Sequence, residues 1–135
     1  MKKILVLCTG NSCRSQMAEG FLKQLGCSVR SAGIESHGIN RFAVNVMAEL
    51  NIDISKNLSK KIDVFNLNDF DIIITVWDHP RQTCPSISIV KKQVHQSFID
   101  PTLAKGTEKE KLRVYRRVRD QIRLFCDQLF NQYYG

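Results

Sequence analysis

The chain lacks most of the features that assign a protein to a class at sight. It has no run of eighteen apolar residues and no charged-then-apolar leader with a small-residue cleavage site, so neither membrane insertion nor secretion is expected. Its five cysteines, Cys8, Cys13, Cys27, Cys84 and Cys126, are odd in number and irregular in spacing, which excludes the disulfide framework of a small secreted domain. Zinc sites draw on close pairs such as C-x2-C. The nearest pair here, Cys8 and Cys13, is separated by four residues, and no metal site is expected. Internal repeats and low-complexity segments are also missing. What is present is 135 residues, 43% hydrophobic and 24% charged, which suits one folded domain over residues 1–135 with a buried core. Reduced thiols in the cytoplasm are the expected state of the cysteines. The net charge of +7 is largely local: Lys60-Lys61, Lys91-Lys92, Arg113, Arg116, Arg117, Arg119 and Arg123 supply nine of the twenty positive residues. This reads as a solvated basic helix face rather than a nucleic-acid surface.

Apolar and polar runs alternate in a way that predicts strands interleaved with helices, and hence a parallel sheet covered on both faces. The spacing predicts a strand over Lys2–Leu7, a helix over Ser15–Leu25 and a second strand over Ser28–Ala32, closed by Gly33. Asn40 is a candidate N-cap for a helix over Arg41–Leu50, where Phe42, Val46, Met47 and Leu50 share a face. A short helix is expected within Ser59–Leu67, and the β-branched run in Asp71–Val76 predicts a central strand. Asp78-His79-Pro80 breaks that run, an irregular loop to Pro85 follows, and a last strand is expected near Val94–Phe98. Thr107 and Glu110 form a T-x-x-E capping box ahead of an apolar stripe of Val114, Val118, Ile122, Phe125 and Leu129. The fold class that follows is a four-stranded α/β domain with ligands at the carboxyl ends of its strands.

The chemistry concentrates in Cys8-Thr9-Gly10-Asn11-Ser12-Cys13-Arg14-Ser15, between the first strand and the first helix. A loop that feeds a helix N-terminus offers backbone N–H groups without intrahelical partners, together with the positive end of the helix dipole, and so makes an anion site. A cysteine at its start is placed to act as a thiolate nucleophile among those donors. Gly10 and Asn11 tolerate the left-handed conformations that turn successive N–H groups inward. Arg14 supplies a planar fork of donors suited to a tetrahedral oxyanion, and the Ser15 hydroxyl can donate to the Cys8 thiolate. The oxyanion-binding set is therefore Thr9, Gly10, Asn11, Ser12, Cys13 and Arg14. A buried cysteine beside an ordinary strand-to-helix turn is the bland alternative.

With these residues in view, Cys8 through Glu19 closely resembles the thiol-coupled arsenate reductases built on the low-molecular-weight tyrosine phosphatase fold. The similarity continues through Ser31-Ala32-Gly33-Ile34-Glu35, His37-Gly38, Ile52-Asp53-Ile54-Ser55 and Asp100-Pro101. It ends with Gly106-Thr107-Glu108 and Arg117-Val118-Arg119-Asp120, so it spans nearly the whole chain. The resemblance implies a three-layer sandwich with strand order 2-1-3-4. The phosphatase branch usually carries a bulky apolar residue after the nucleophile, a proline after the Arg-Ser pair and aromatics after its Asp-Pro. Thr9, Gln16 and Thr102-Leu103 stand in those places here and favour the reductase branch.

The resemblance makes Cys8 the nucleophile and Asp100 the general acid, although on residues alone Asp100-Pro101 is also an ordinary turn. Cys8 then forms a thiol–arsenate adduct, and a second thiol resolves it to arsenite and a disulfide. Thioredoxin-coupled reductases carry two further cysteines. Cys84 matches the later one, while Trp77 occupies the earlier place. The resolving thiol is thus either Cys84 or an external thiol from a thioredoxin or glutathione/glutaredoxin system, and no bound cofactor is implied. Asn11, Glu19 and Ser31 match ligands of a cation site that some relatives place beside the loop, but Lys60 replaces its acidic member. The Lys60 ammonium is expected to reach Glu19 in the cation's stead, or else to be a solvated charge, and no potassium requirement is expected. Cys13 is placed either to form a protective disulfide with Cys8 or to pack. Cys27 and Cys126 are expected to pack, and His37, His79, Trp77 and Phe98 either approach the site or serve the surface and the sheet. The expected protein is a monomer acting on arsenate or a phosphate-like oxyanion, with no nucleic-acid or membrane partner. A phosphatase hydrolysing phosphate monoesters through a phosphocysteine and a non-catalytic oxyanion-binding regulatory module are the alternatives.

Overall fold

The structure, a computed structural model, describes residues 2–8, 10–76 and 92–134. Expectations for Thr9, Trp77, His79, Cys84 and the loop to Pro85 lie outside the described residues. Strands β1 (Lys3–Cys8), β2 (Ser28–Gly33), β3 (Ile72–Thr75) and β4 (Lys92–His95) pair in parallel in the order β2-β1-β3-β4. The alternating pattern leads one to expect the parallel sheet, and the resemblance its 2-1-3-4 order. Ile4, Leu5, Val6 and Leu7 are fully buried, as an apolar run in a central parallel strand must be.

The run divides by strand alternation. Ile4 and Val6 face a large core built with helices α1 (Arg14–Gln24), α2 (Arg41–Ala48) and α3 (Glu108–Tyr134). Leu5 and Leu7 face a smaller core with Ala32, Phe70 and Ile73, covered by Ile34, Ile62, Phe65 and Leu67. Each fully buried Leu or Ile contributes about 1.5–3 kcal/mol, so β1 and β3 anchor the domain. Among the described residues, no helix is long and apolar enough to cross a membrane.

Element ends follow local chemistry. After α1, Gly26 takes φ +93°, and the Cys27 N–H reaches back to the Leu22 carbonyl at 3.0 Å, a left-handed stop that only glycine adopts cheaply. Asn40 caps α2, its side chain accepting from Ala43 N–H at 3.0 Å. The capping box forms in both directions: Glu110 N–H donates to Thr107 Oγ1 at 3.1 Å, and Thr107 N–H to Glu110 Oε1 at 3.2 Å.

Three expectations need correction. Ser59–Leu67 holds no α-helix but single 3-10 turns at Ile62–Val64 and, just beyond, Leu67–Asp69. β-branched Ile62 and Val64 and the polar Asp63, Asn66, Asn68 and Asp69 disfavour a helix there, and Asn66 spends its side chain on the Asn68 N–H instead of continuing one. The last strand lies at Lys92–His95, ahead of Val94–Phe98, because pairing with β3 sets its register while Phe98 drops into the core. The basic face of α3 is only partly solvated. Arg113, Arg117 and Arg123 are exposed, but Arg119 is buried and donates to the Val46 carbonyl at 3.0 Å and to Glu49 at 2.7 Å.

Candidate active site

β1 delivers Cys8 to the floor of a pocket of about 410 Å³, lined also by Ser12, Cys13, Arg14, His37 and Asp100. The loop above is held by its carbonyls. Cys8 O accepts from Ile34 N–H at 3.2 Å, Gly10 O from His37 N–H and Ser59 Oγ at 3.0 Å each, and Ser12 O from Asn40 N–H at 2.9 Å. With those carbonyls tied to residues 34–40 and 59, and with α1 starting at Arg14, the loop's N–H groups and the helix N-terminus are the donors left for an anion. Sequence reasoning gave Gly10 and Asn11 the same left-handed role, and the two have separate ones. Asn11 has φ +49°, whereas Gly10 is required by close approach: a Cβ there would lie 2.4 Å from His37 Nδ1.

Asn11 is fully buried and is the hub of the loop's support. Its Nδ2 donates to Ser15 Oγ at 2.9 Å and Ser31 Oγ at 2.8 Å. Its Oδ1 accepts from Gln16 Nε2 at 2.9 Å and from the Lys60 backbone N–H at 2.7 Å. Gln16 in turn accepts from Asn57 Nδ2 at 3.0 Å, so the residue that replaces the phosphatase-type proline is a structural strut. Ser15 accepts from Asn11, and no described hydrogen bond joins it to Cys8.

Arg14 is 5% exposed. Its Nη1 donates to the Phe98 carbonyl at 3.0 Å, and its Nη2 lies 3.7 Å from Asp100 Oδ2. Asp100 is both turn and site residue. Oδ1 accepts from Thr102 N–H at 3.0 Å and Thr102 Oγ1 at 2.7 Å, which leaves Oδ2 towards Arg14 and the pocket. Phe98 therefore serves the site through its backbone, while its ring packs edge-on against Phe125.

The remaining cysteines divide as follows. Cys13 lines the pocket, yet it is 3% exposed, and burial first, then the Cys8 charge, pushes its thiol well up, so it is a poor thiolate in the resting protein. Cys27 and Cys126 sit in the large core, and burial raises both thiols. All four described cysteines are free thiols.

Of the two readings of Lys60, the ion pair with Glu19 does not form among the described ion pairs. Lys23, one helical turn after Glu19, pairs with that buried carboxylate at 2.7 Å, and Ser31 donates to its other oxygen at 2.5 Å. The Lys60 ammonium instead donates to the Leu58 carbonyl at 2.7 Å. The i,i+4 spacing of Glu19 and Lys23 was a legible signal for this pair. Sequence reasoning also missed Tyr115 on α3. Its hydroxyl, 3.1 Å from Asn40 Nδ2, is held protonated by burial, its pKa pushed up to about 12. Nothing in the sequence alone links positions 40 and 115.

Comparison with known proteins agrees with this geometry. A chain of Halalkalibacterium halodurans described as an arsenate reductase is 51% identical over 124 residues, covering 90% of this chain and 89% of its own. An arsenate reductase of Bacillus subtilis is 50% identical over the same coverage. A solved arsenate reductase in the phosphate binding state superposes with a TM-score of 0.86 at 35% identity, covering 98% of both chains. The family model for low molecular weight phosphotyrosine protein phosphatase matches residues 3–133. With that model matching residues 3–133, the chain belongs to the low molecular weight phosphotyrosine protein phosphatase family.

Proposed function

We propose that this protein reduces arsenate to arsenite through Cys8. The observation that carries the reading is the shape of the pocket. A buried cysteine lies on its floor, Arg14 and Asp100 face each other at 3.7 Å, and no Phe, Tyr or Trp is among its described lining residues. Thr102 lines the wall beyond Asp100, and Leu103 turns out to solvent. Such a site suits a compact inorganic oxyanion better than the ring of an aryl ester. The relatives at about half identity carry the arsenate reductase description over nearly their whole length.

The chemistry balances in two steps. The Cys8 thiolate attacks arsenic while the bond from arsenic to a hydroxyl group of the arsenate breaks, and the departing hydroxyl takes a proton from Asp100 and leaves as water. Loop N–H groups and Arg14 hold the remaining oxygens. A second thiolate then attacks Cys8 Sγ. The sulfur–sulfur bond forms, the sulfur–arsenic bond breaks with its electron pair passing to arsenic, and arsenite leaves. The second thiol is Cys84 or an external one, and a thioredoxin or glutathione/glutaredoxin system restores both. Four free thiols in the described part of the chain support a reducing, cytoplasmic setting.

The family's namesake chemistry is the second reading, and Asp100-Pro101 beside the loop is the observation in its favour: the same acid would protonate an alkoxide leaving group. The test compares turnover of arsenate and of an aryl phosphate in wild type, Cys8→Ser and Cys84→Ser, with each reducing system separately. Arsenate turnover that vanishes in Cys8→Ser is expected. Reduction that survives in Cys84→Ser assigns resolution to the external thiol. Aryl-phosphate turnover without arsenate reduction overturns the reductase reading.

A further inference from the structure

A second cavity, of about 350 Å³, shares none of its lining residues with the Cys8 pocket. Its lining brings together Lys23 from α1, Arg30 from β2 and Lys60 from the following segment, with Glu19 as the single carboxylate and Leu58, Val64 and Phe65 as apolar walls. Three cations against one carboxylate leave the cavity with two positive charges in excess. Glu19 is nearly sealed, 3% exposed, and both its oxygens are already taken, by Lys23 and by Ser31. Its charge still acts on Lys60, but it forms no ion pair with Arg30 or Lys60 among the described ion pairs.

The pairing of the cations is minimal. Arg30 donates Nη1 to its neighbour's carbonyl, that of Val29, at 3.0 Å, and Lys60 donates Nζ to Leu58 O at 2.7 Å. Neither meets a carboxylate among the described ion pairs. Burial first, and then the like charges of Lys23 and Arg30, lower the affinity of Lys60 for its proton, against the pull of Glu19. Lys23 and Arg30 are exposed and Lys60 half-buried, so the three like charges meet at a surface recess that an anion can enter from solvent.

We propose that this cavity is a second, non-catalytic oxyanion site, in which Arg30 and Lys60, backed by Lys23, bind a tetrahedral inorganic dianion such as phosphate, sulfate or arsenate. It is separate from the Cys8 pocket and does not depend on the reaction proposed there. It borders the loop's support, because the Lys60 N–H donates to Asn11 Oδ1 and Glu19 holds Ser31.

Inorganic phosphate, titrated into the uniformly 15N-labelled protein at constant ionic strength with sodium chloride, tests it. Backbone amide shifts of residues 10–16 report the catalytic loop, and those of Arg30, Val64 and Phe65 report the cavity. The expected result is two sets of shifts with separate midpoints. In Arg30→Gln, and more completely in Arg30→Gln/Lys60→Gln, the cavity set falls silent while the loop set still saturates. A cavity set that does not move, or that follows the loop set with one midpoint, overturns the proposal. So does a cavity set that still titrates in the double variant.

Discussion

Glu19 is a carboxylate held out of water in the first helix, and its pairing explains how the catalytic loop keeps its shape. Lys23 neutralises it from the half-exposed side at 2.7 Å, and Ser31 passes its influence to Asn11. Removing one partner of a buried pair costs more than the pair contributes, because the other charge stays behind. Lys23→Met is therefore expected to destabilise the protein by about 1–3 kcal/mol, less than for a fully buried pair because Lys23 is half in water. Chemical denaturation of the two proteins side by side measures this. The resident ammonium also makes wild-type turnover indifferent to exchange of potassium for sodium, and a marked rise in potassium would contradict that. Glu19 was legible as a support residue from the resemblance. Lys60 was considered as its partner from the place of a missing acidic residue, and the one-turn spacing to Lys23 on the helix itself was overlooked.

Among the elements, the junction from the end of α1's loop to the start of α2 carries the most consequence per residue. Asn40 caps α2 with its side chain, holds Ser12 O with its N–H and donates its amide to Tyr115. The first of these was readable from the sequence, since Asn before a helical stripe is a cap signal whatever the tertiary fold. The other two depend on where α3 returns, which no local pattern states. Asn40→Ala is expected to cost about 1 kcal/mol, and Asn40→Ser to regain most of it, because serine caps as well as asparagine. Thermal melts of the pair decide: an alanine variant as stable as wild type removes the capping argument. Strand β1, the loop and α1 were legible for the same local reason. The segment 59–69 and β4 were not. The first covers a sheet face with side chains in 3-10 turns, and the second is an edge strand with mostly exposed residues, so neither displays a helical or alternating period.

For the molecule as a whole, α2 and α3 are joined by one carboxylate. Glu49 accepts two hydrogen bonds from Arg116 Nε and Nη2, at 3.0 and 2.8 Å to different oxygens, and a third from Arg119 Nη1 at 2.7 Å. Hydrogen bonding from Arg116, then from Arg119, lowers the Glu49 pKa below its ordinary value despite some desolvation. A carboxyl whose folded pKa is depressed contributes stability that is fully present above its unfolded pKa of about 4.3, and that is lost as pH falls through the folded value. Glu49→Gln should therefore lower the melting temperature at neutral pH by a few degrees. The gap to wild type should close as the pH drops below about 4. Parallel melts across that range check the sign. A gap that widens in acid would show that the contact acts through packing instead. The solvent exposure of Glu49 keeps the effect modest.

The carbonyls of Cys8, Gly10 and Ser12 are tied to the segment 34–40 before any substrate arrives. An incoming oxyanion therefore meets a loop 8–14 whose carbonyls are already held. Its arrival rate is governed by diffusion and by the attraction of a positively charged chain for a dianion, and should fall with added salt. Variation among related loops would then be felt in how long the anion stays rather than in how quickly it arrives. On the reductase reading the incoming dianion is exchanged for neutral, pyramidal arsenous acid, which the same donors hold less well, so the product leaves a site built for its substrate.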